Sequence, residues 1–268
     1  MLLHGYPQTS FMWRHVVPRL VEAGRSVVLA DLRGYGASGP AHAGPVADPA
    51  TYAKREMASD VAALLDTLGH DTVDLVGHDR GGRVAHRLAL DHPERVRSLA
   101  VLDIVPTLHM FEHVDRSMAE AYFHWFLLTR PGGLPEALIS ASPETWLRSR
   151  FTGRDAGTPV PTAAVDVYLD AFLQPGVVDA TCADYRAAAT VDLDHDRTDR
   201  EVGRRVTAPV LALWGDAGYV GRNFDVEEVW RRYAGEVTGR GLATDHYLAE
   251  EAPTEVVEAL LAFWAGAR

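Results

Sequence analysis

Short apolar runs and helical repeats alternate along this 268-residue chain, and that alternation restricts its fold more than any other feature. Runs of strand length, each bounded by turn residues, occupy Val27–Ala30, Val73–Val76, Leu99–Leu102 and Val210–Trp214, with a weaker one at Glu236–Leu242. Between them, Tyr52–Leu68, Gly82–Asp91 and Thr254–Trp264 carry apolar residues at three- and four-residue spacing, which is the period of a helix with one buried face. Strand and helix in alternation predict an α/β fold, a mostly parallel sheet with helices on both faces.

About a hundred residues separate the runs at 99–102 and 210–214, with no clear strand among them. They hold Trp125, Trp146 and Tyr168 and helix-like stretches at Met118–Leu128 and Ala163–Phe172. Residues 106–205 are therefore expected to form a helical cap inserted into a core made of residues 1–105 and 206–268. Met1-Leu2-Leu3 is long enough only for the end of a first strand, so the N-terminal edge strands of such a sheet are expected to be missing. The Pro-, Gly- and Ala-rich loop Gly39–Ala50 reads as an exposed excursion.

The formal net charge of −11 argues against a nucleic-acid partner and means that an anionic substrate must be captured by local cations. The single cysteine, Cys182, excludes an internal disulfide and reads as a small buried hydrophobe. No apolar run approaches the ~20 residues of a membrane span, and "MLLHGYPQ" lacks the regions of a signal peptide. The expected location is the cytoplasm, with no membrane association.

Chemistry concentrates at "GHDRGGR", residues 77–83, which follows a strand and opens a helix. Glycines in that context permit a strained turn that exposes the central side chain, here Asp79. An aspartate there also suits a helix cap; what favours a nucleophile is the set of partners. A nucleophilic carboxylate attacks an sp³ carbon and is left as an ester, which water must cleave with help from a histidine base and its acid. His246, in "ATDHYLAEEAP" before the terminal helix, stands where chain order places that base. One usual position for the acid, three residues after the glycine of "WG", is Gly218; the other, after the strand at 99–102, is Asp103. Asp103 is thus preferred to Asp216 and Asp225. When the ester is hydrolysed, charge develops on an Asp79 oxygen, and the backbone N–H groups of Tyr6 and Arg80 are expected to donate to it.

Arg80 and Arg83 lie on one side of the first helical turn beside Asp79. They suit a substrate carboxylate. Placing such an anion ~4 Å from Asp79 at an effective dielectric of ~20 costs about 4 kcal/mol. One guanidinium offsets roughly that amount, and a second makes binding favourable while holding Asp79 ionised. A small acid attacked at the carbon next to its carboxylate is the substrate these residues predict.

With these residues in view, "HGYPQTS", "DLRGYGASGP", "GHDRGGRVAHRLALDHPERV", "LDIVPT", "HWFLL", "DYRAAAT", "LWGDAGYVGRNFD" and "HYLAEEAP" resemble the haloacetate dehalogenases of the α/β-hydrolase superfamily, specifically fluoroacetate dehalogenases. The resemblance covers nearly the whole chain. It implies Asp79 as nucleophile, His246 as base, Asp103 as its partner, and Arg80 with Arg83 as carboxylate clamp. It also implies that His124, Trp125 and Tyr185 bind the departing halide, that no cofactor or metal is needed, and that the protein is a homodimer. The expected reaction converts a haloacetate and water to glycolate, halide and a proton. Fluoride is small, strongly hydrated and a poor leaving group, so three donors each worth about 1.5–3 kcal/mol suit it. The chain departs from the pattern at its missing upstream strands and at Asp245, which precedes His246 where a small residue is usual. An epoxide hydrolase would share "HGYP" and the aspartate but has no use for paired arginines. A catalytically silent ligand-binding relative is the third alternative.

Overall fold

A computed structural model describes residues 1–41, 46–152 and 159–266, so residues 42–45 of the loop 39–50 lie outside the described residues. Six strands form one sheet: β1 (Leu2–Leu3), β2 (Leu29–Ala30), β3 (Val73–His78), β4 (Val96–Leu102), β5 (Val210–Gly215) and β6 (Val237–Leu242). Their order is β2-β1-β3-β4-β5-β6 and every pairing is parallel. The expected α/β architecture is thus observed. The run at Val27–Ala30 gives only a two-residue strand, although the Leu2 N–H also bonds the Val28 carbonyl at 2.9 Å.

Strand order explains how both faces are covered. From β1 the chain crosses to β2 in one direction, then passes β1 to reach β3 and continues the other way. Right-handed crossovers then put the intervening helices on opposite faces. Val17–Glu22 packs with the terminal helix Pro253–Gly266, whereas Lys54–Leu68 packs with Asp79–Asp91 over β3 and β4. Leu75, Val76, Leu99, Ala100, Val101 and Leu102 are fully buried between the layers. Each such large aliphatic side chain contributes about 1.5–3 kcal/mol by leaving water. The crevice at the carboxyl ends of β1 and β3, where the winding reverses, is where open sheets of this kind bind ligands. Asp79 lies there.

Between β4 and β5 the described residues form helices and no strand: Thr107–Glu112, Arg116–Ala121, Phe123–Leu128, Leu134–Ala141, Pro143–Arg148, Thr162–Phe172, Val177–Ala188 and Val191–Glu201. The single helix expected over Met118–Leu128 is broken at Tyr122 (φ −116°, ψ 36°). The Tyr122 ring stacks on Trp125 at 5.9 Å and meets Tyr219 at 4.8 Å, so ring packing interrupts a periodicity that local sequence would continue. Cys182 is buried and free. Among the described residues no helix is long and apolar enough to cross a membrane.

Candidate active site

Asp79 follows β3 directly and starts the helix Asp79–Asp91 with φ at +45°, in the left-handed region. Holding a residue other than glycine there costs on the order of 1–3 kcal/mol, and the neighbouring packing must enforce it. Two glycines permit that packing. A Cβ at Gly77 would stand 2.4 Å from the Gly81 carbonyl oxygen, and one at Gly81 would stand 2.4 Å from that of His4. The turn therefore closes against the segment after β1 and aims the Asp79 side chain out of the sheet end.

Asp103 follows β4, is also left-handed (φ +51°), and is buried. Its Oδ2 lies 2.6 Å from His246 Nδ1, and its Oδ1 accepts the Gly215 N–H at 3.0 Å. With Nδ1 directed at the carboxylate, Nε2 is left for chemistry. His246 is steadied further by two residues that sequence reasoning missed. His78 Nε2 lies 2.8 Å from the His246 carbonyl oxygen. Glu251 accepts the N–H groups on either side of His246, from Asp245 at 2.7 Å and Tyr247 at 2.8 Å. Glu251 was visible in "HYLAEEAP", but nothing in the string tells which of two adjacent glutamates turns back.

The Tyr6 N–H donates to Asp79 Oδ2 at 3.0 Å, as one of the two expected oxyanion donors. Among the described residues no hydrogen bond joins the Arg80 N–H to Asp79 in this rotamer, which carries Oδ2 to Tyr6. Burial alone would raise the Asp79 pKa, but His246, His78, Arg80 and Arg83 together hold it below the usual carboxylate range. It is ionised at neutral pH.

The arginines differ from each other. Arg80 spends Nε and Nη2 on Asp184, at 2.9 Å to Oδ2 and 2.5 Å to Oδ1, and its Nη1 is buried without a partner. The fork expected to face a substrate thus faces a protein carboxylate, and one nitrogen remains. Asp184 was hidden in "DYRAAAT", more than a hundred residues away. Arg83 Nη1 donates to the Val105 carbonyl at 3.1 Å and to Thr107 Oγ1 at 3.0 Å, while its Nε is buried without a partner. No carboxylate pairs with Arg83 among the described residues. Burial and the neighbouring charge of Arg80 lower its pKa. A guanidinium ordinarily stays protonated through such a shift. A buried cation that hydrogen-bonds no carboxylate, with the Asp79 charge as its near counter-charge, therefore stands beside the nucleophile.

His124, Trp125 and Tyr185 are brought together by Phe123–Leu128 and Val177–Ala188: Tyr185 lies 5.8 Å from His124 and 6.1 Å from Trp125, ring to ring. Arg80 rests 4.2 Å over Tyr185 and Arg83 4.7 Å over Trp125. A cavity of about 440 Å³ opens in front of them, lined by Tyr6, Asp79, His124, Trp125, Tyr219 and His246 among others. Arg83 and Tyr185 pack directly on that lining, against Trp125 and Tyr6, and Arg80 packs on Tyr185. Trp146 Nε1 donates to the Tyr6 hydroxyl at 2.5 Å and so ties the inserted helices to the segment that supplies the Tyr6 N–H.

A family model described as alpha/beta hydrolase fold matches residues 1–232. A fluoroacetate dehalogenase of Burkholderia sp. is 41% identical over all of this chain and 87% of its own length. A soluble epoxide hydrolase of Corynebacterium sp. (strain C12) is 32% identical over all of this chain and 90% of its own. A solved structure from Nostoc sp. PCC 7120, provisionally assigned as an alpha/beta hydrolase, superposes with a TM-score of 0.91 at 47% identity, covering 98% of this chain and 89% of that one.

Proposed function

This chain belongs to the α/β-hydrolase fold family, and we propose that within it the protein is a hydrolytic dehalogenase of haloacetates, fluoroacetate included. The observation that carries this reading is Arg83, buried beside an ionised Asp79 with no carboxylate of its own. Its Nε is buried without a hydrogen-bond partner, which is costly for a charged group, and a small substrate carrying one carboxylate would supply that partner. A neutral epoxide would not. The similarity to the Burkholderia fluoroacetate dehalogenase supports the same choice.

In the proposed reaction an Asp79 oxygen attacks the α-carbon, a C–O bond forms, and halide leaves with the electron pair of the C–X bond. Arg83 and Arg80 Nη1 hold the substrate carboxylate, while His124, Trp125 and Tyr185, within a cap of residues 106–205, donate to the halide. His246 then takes a proton from water, whose oxygen attacks the Asp79 ester carbonyl. Charge on the carbonyl oxygen is met by the Tyr6 N–H; on collapse His246 returns its proton to the departing glycolate oxygen, and the Asp79 carboxyl loses its proton to solvent and is regenerated as carboxylate.

The test is fluoride release from fluoroacetate, read with a fluoride electrode. A single turnover in ¹⁸O water should put label into Asp79, leaving first-turnover glycolate unlabelled; label in that first product would mean direct water attack. Arg83→Lys keeps the charge but loses the planar fork, so KM for haloacetates should rise about tenfold or more. Unchanged kcat/KM in that variant would remove the argument from Arg83.

A further inference from the structure

Behind the carboxylate-binding arginines lies a second, fully buried ion cluster. Asp184 Oδ1 accepts from Lys54 Nζ and from Arg80 Nη2, and its Oδ2 accepts from Arg80 Nε at 2.9 Å and from the Tyr35 hydroxyl at 2.7 Å. Arg80 Nη2 also reaches the Asp184 backbone carbonyl at 3.0 Å. Lys54, at the start of Lys54–Leu68, also faces Asp192: its N–H bonds Asp192 Oδ1 at 2.9 Å, and its Nζ lies 3.8 Å from Oδ2. Lys54, Arg80, Asp184 and Asp192 are all buried, so their charges act on one another with little screening by solvent.

The four charges cancel, and so do those of Arg83 and Asp79. The pocket thus offers donors to an anion without a net positive charge. A hydrolytic dehalogenase starts with one anion and ends with two, both of which must leave. We propose that Asp184 and Lys54 are positioning residues that set how tightly the site holds anions, Asp184 weakening the grip of Arg80 and Lys54 restoring part of it. This rests on the dehalogenase reading. Asp184 also precedes Tyr185 in the chain, so the bond to Arg80 fixes a halide-facing ring and a carboxylate-facing nitrogen from one helix, Val177–Ala188.

The two residues carry opposite charges in one cluster, so their substitution separates this role from damage. In Asp184→Asn the site gains net positive charge: KM for chloroacetate and the inhibition constant of glycolate should both fall about tenfold, with kcat lowered by slow product departure. In Lys54→Met both constants should rise by a similar factor. The double variant Lys54→Met/Asp184→Asn should return to within about threefold of wild type. Mere structural damage raises KM in all three and never tightens glycolate. Shifts of the same sign in the two single variants, or no shifts in an active enzyme, overturn this inference and leave the dehalogenase reading standing. If Asp184→Asn does not fold, the comparison of Lys54→Met with the double variant decides, since only the charge argument expects the second substitution to repair the first. A wild type that releases no halide overturns the underlying reading, and this inference with it.

Discussion

His246→Asn is expected to displace one halide per protein molecule and then stop, with multiple turnover lowered by about 10⁴-fold. The asymmetry follows from the geometry. Asp79 is already ionised by the charges around it, so alkylation needs no base. Hydrolysis of the ester does, and the histidine aligned by Asp103 at 2.6 Å is the group at hand. After incubation with chloroacetate, intact-protein mass spectrometry should show the gain of one carboxymethyl group, and peptide mapping should put it on Asp79. A soluble, folded and inactive variant that stays unmodified would exclude the covalent route. In the wild type, where the surrounding charges depress the Asp79 pKa, the first-turnover burst of halide should hold steady as pH falls to the usual carboxylate range and decline only below it.

The second large effect concerns Trp125. Trp125→Phe retains a ring beneath Arg83, which now lies 4.7 Å above the indole, but removes the indole N–H. Chloride and bromide leave readily, so their displacement depends little on donors. Fluoride leaves with a far more concentrated charge. Loss of one donor to that forming anion is worth roughly 2–3 kcal/mol, or about a hundredfold in rate. The variant should therefore lose about a hundredfold in kcat/KM on fluoroacetate and only a few-fold on chloroacetate. If both substrates fall by one factor, Trp125 shapes the wall of the cavity and the proposal of fluoroacetate as a substrate loses this support.

Local pattern determined a good deal here. Apolar runs bounded by turn residues mark β3, β4 and β5 because a buried strand needs little more than continuous apolar side chains and a place to turn. Gly77 and Gly81 mark the turn around Asp79 because close backbone approach excludes a Cβ at each, a constraint written into single residues. Chain order alone selected His246 and Asp103, which the fold brings to 2.6 Å. Pairing across the chain is another matter. That Arg80 turns its fork to Asp184 while Arg83 keeps none of its nitrogens on a carboxylate depends on where the helix Val177–Ala188 places Asp184. Neither residue's neighbours in sequence carry that information. Glu251 and His78, which hold the backbone around His246, are equally silent in the string, because a bond to a main-chain group leaves no compositional mark on its partner. The break at Tyr122 arises the same way, from rings contributed by distant segments. The sequence by itself determined the fold and the residue types gathered for the chemistry, because periodicity and steric exclusion act within a few residues. Only the tertiary structure decided which charges cancel and which remain for a substrate, because a buried ion pair is set by distance in space.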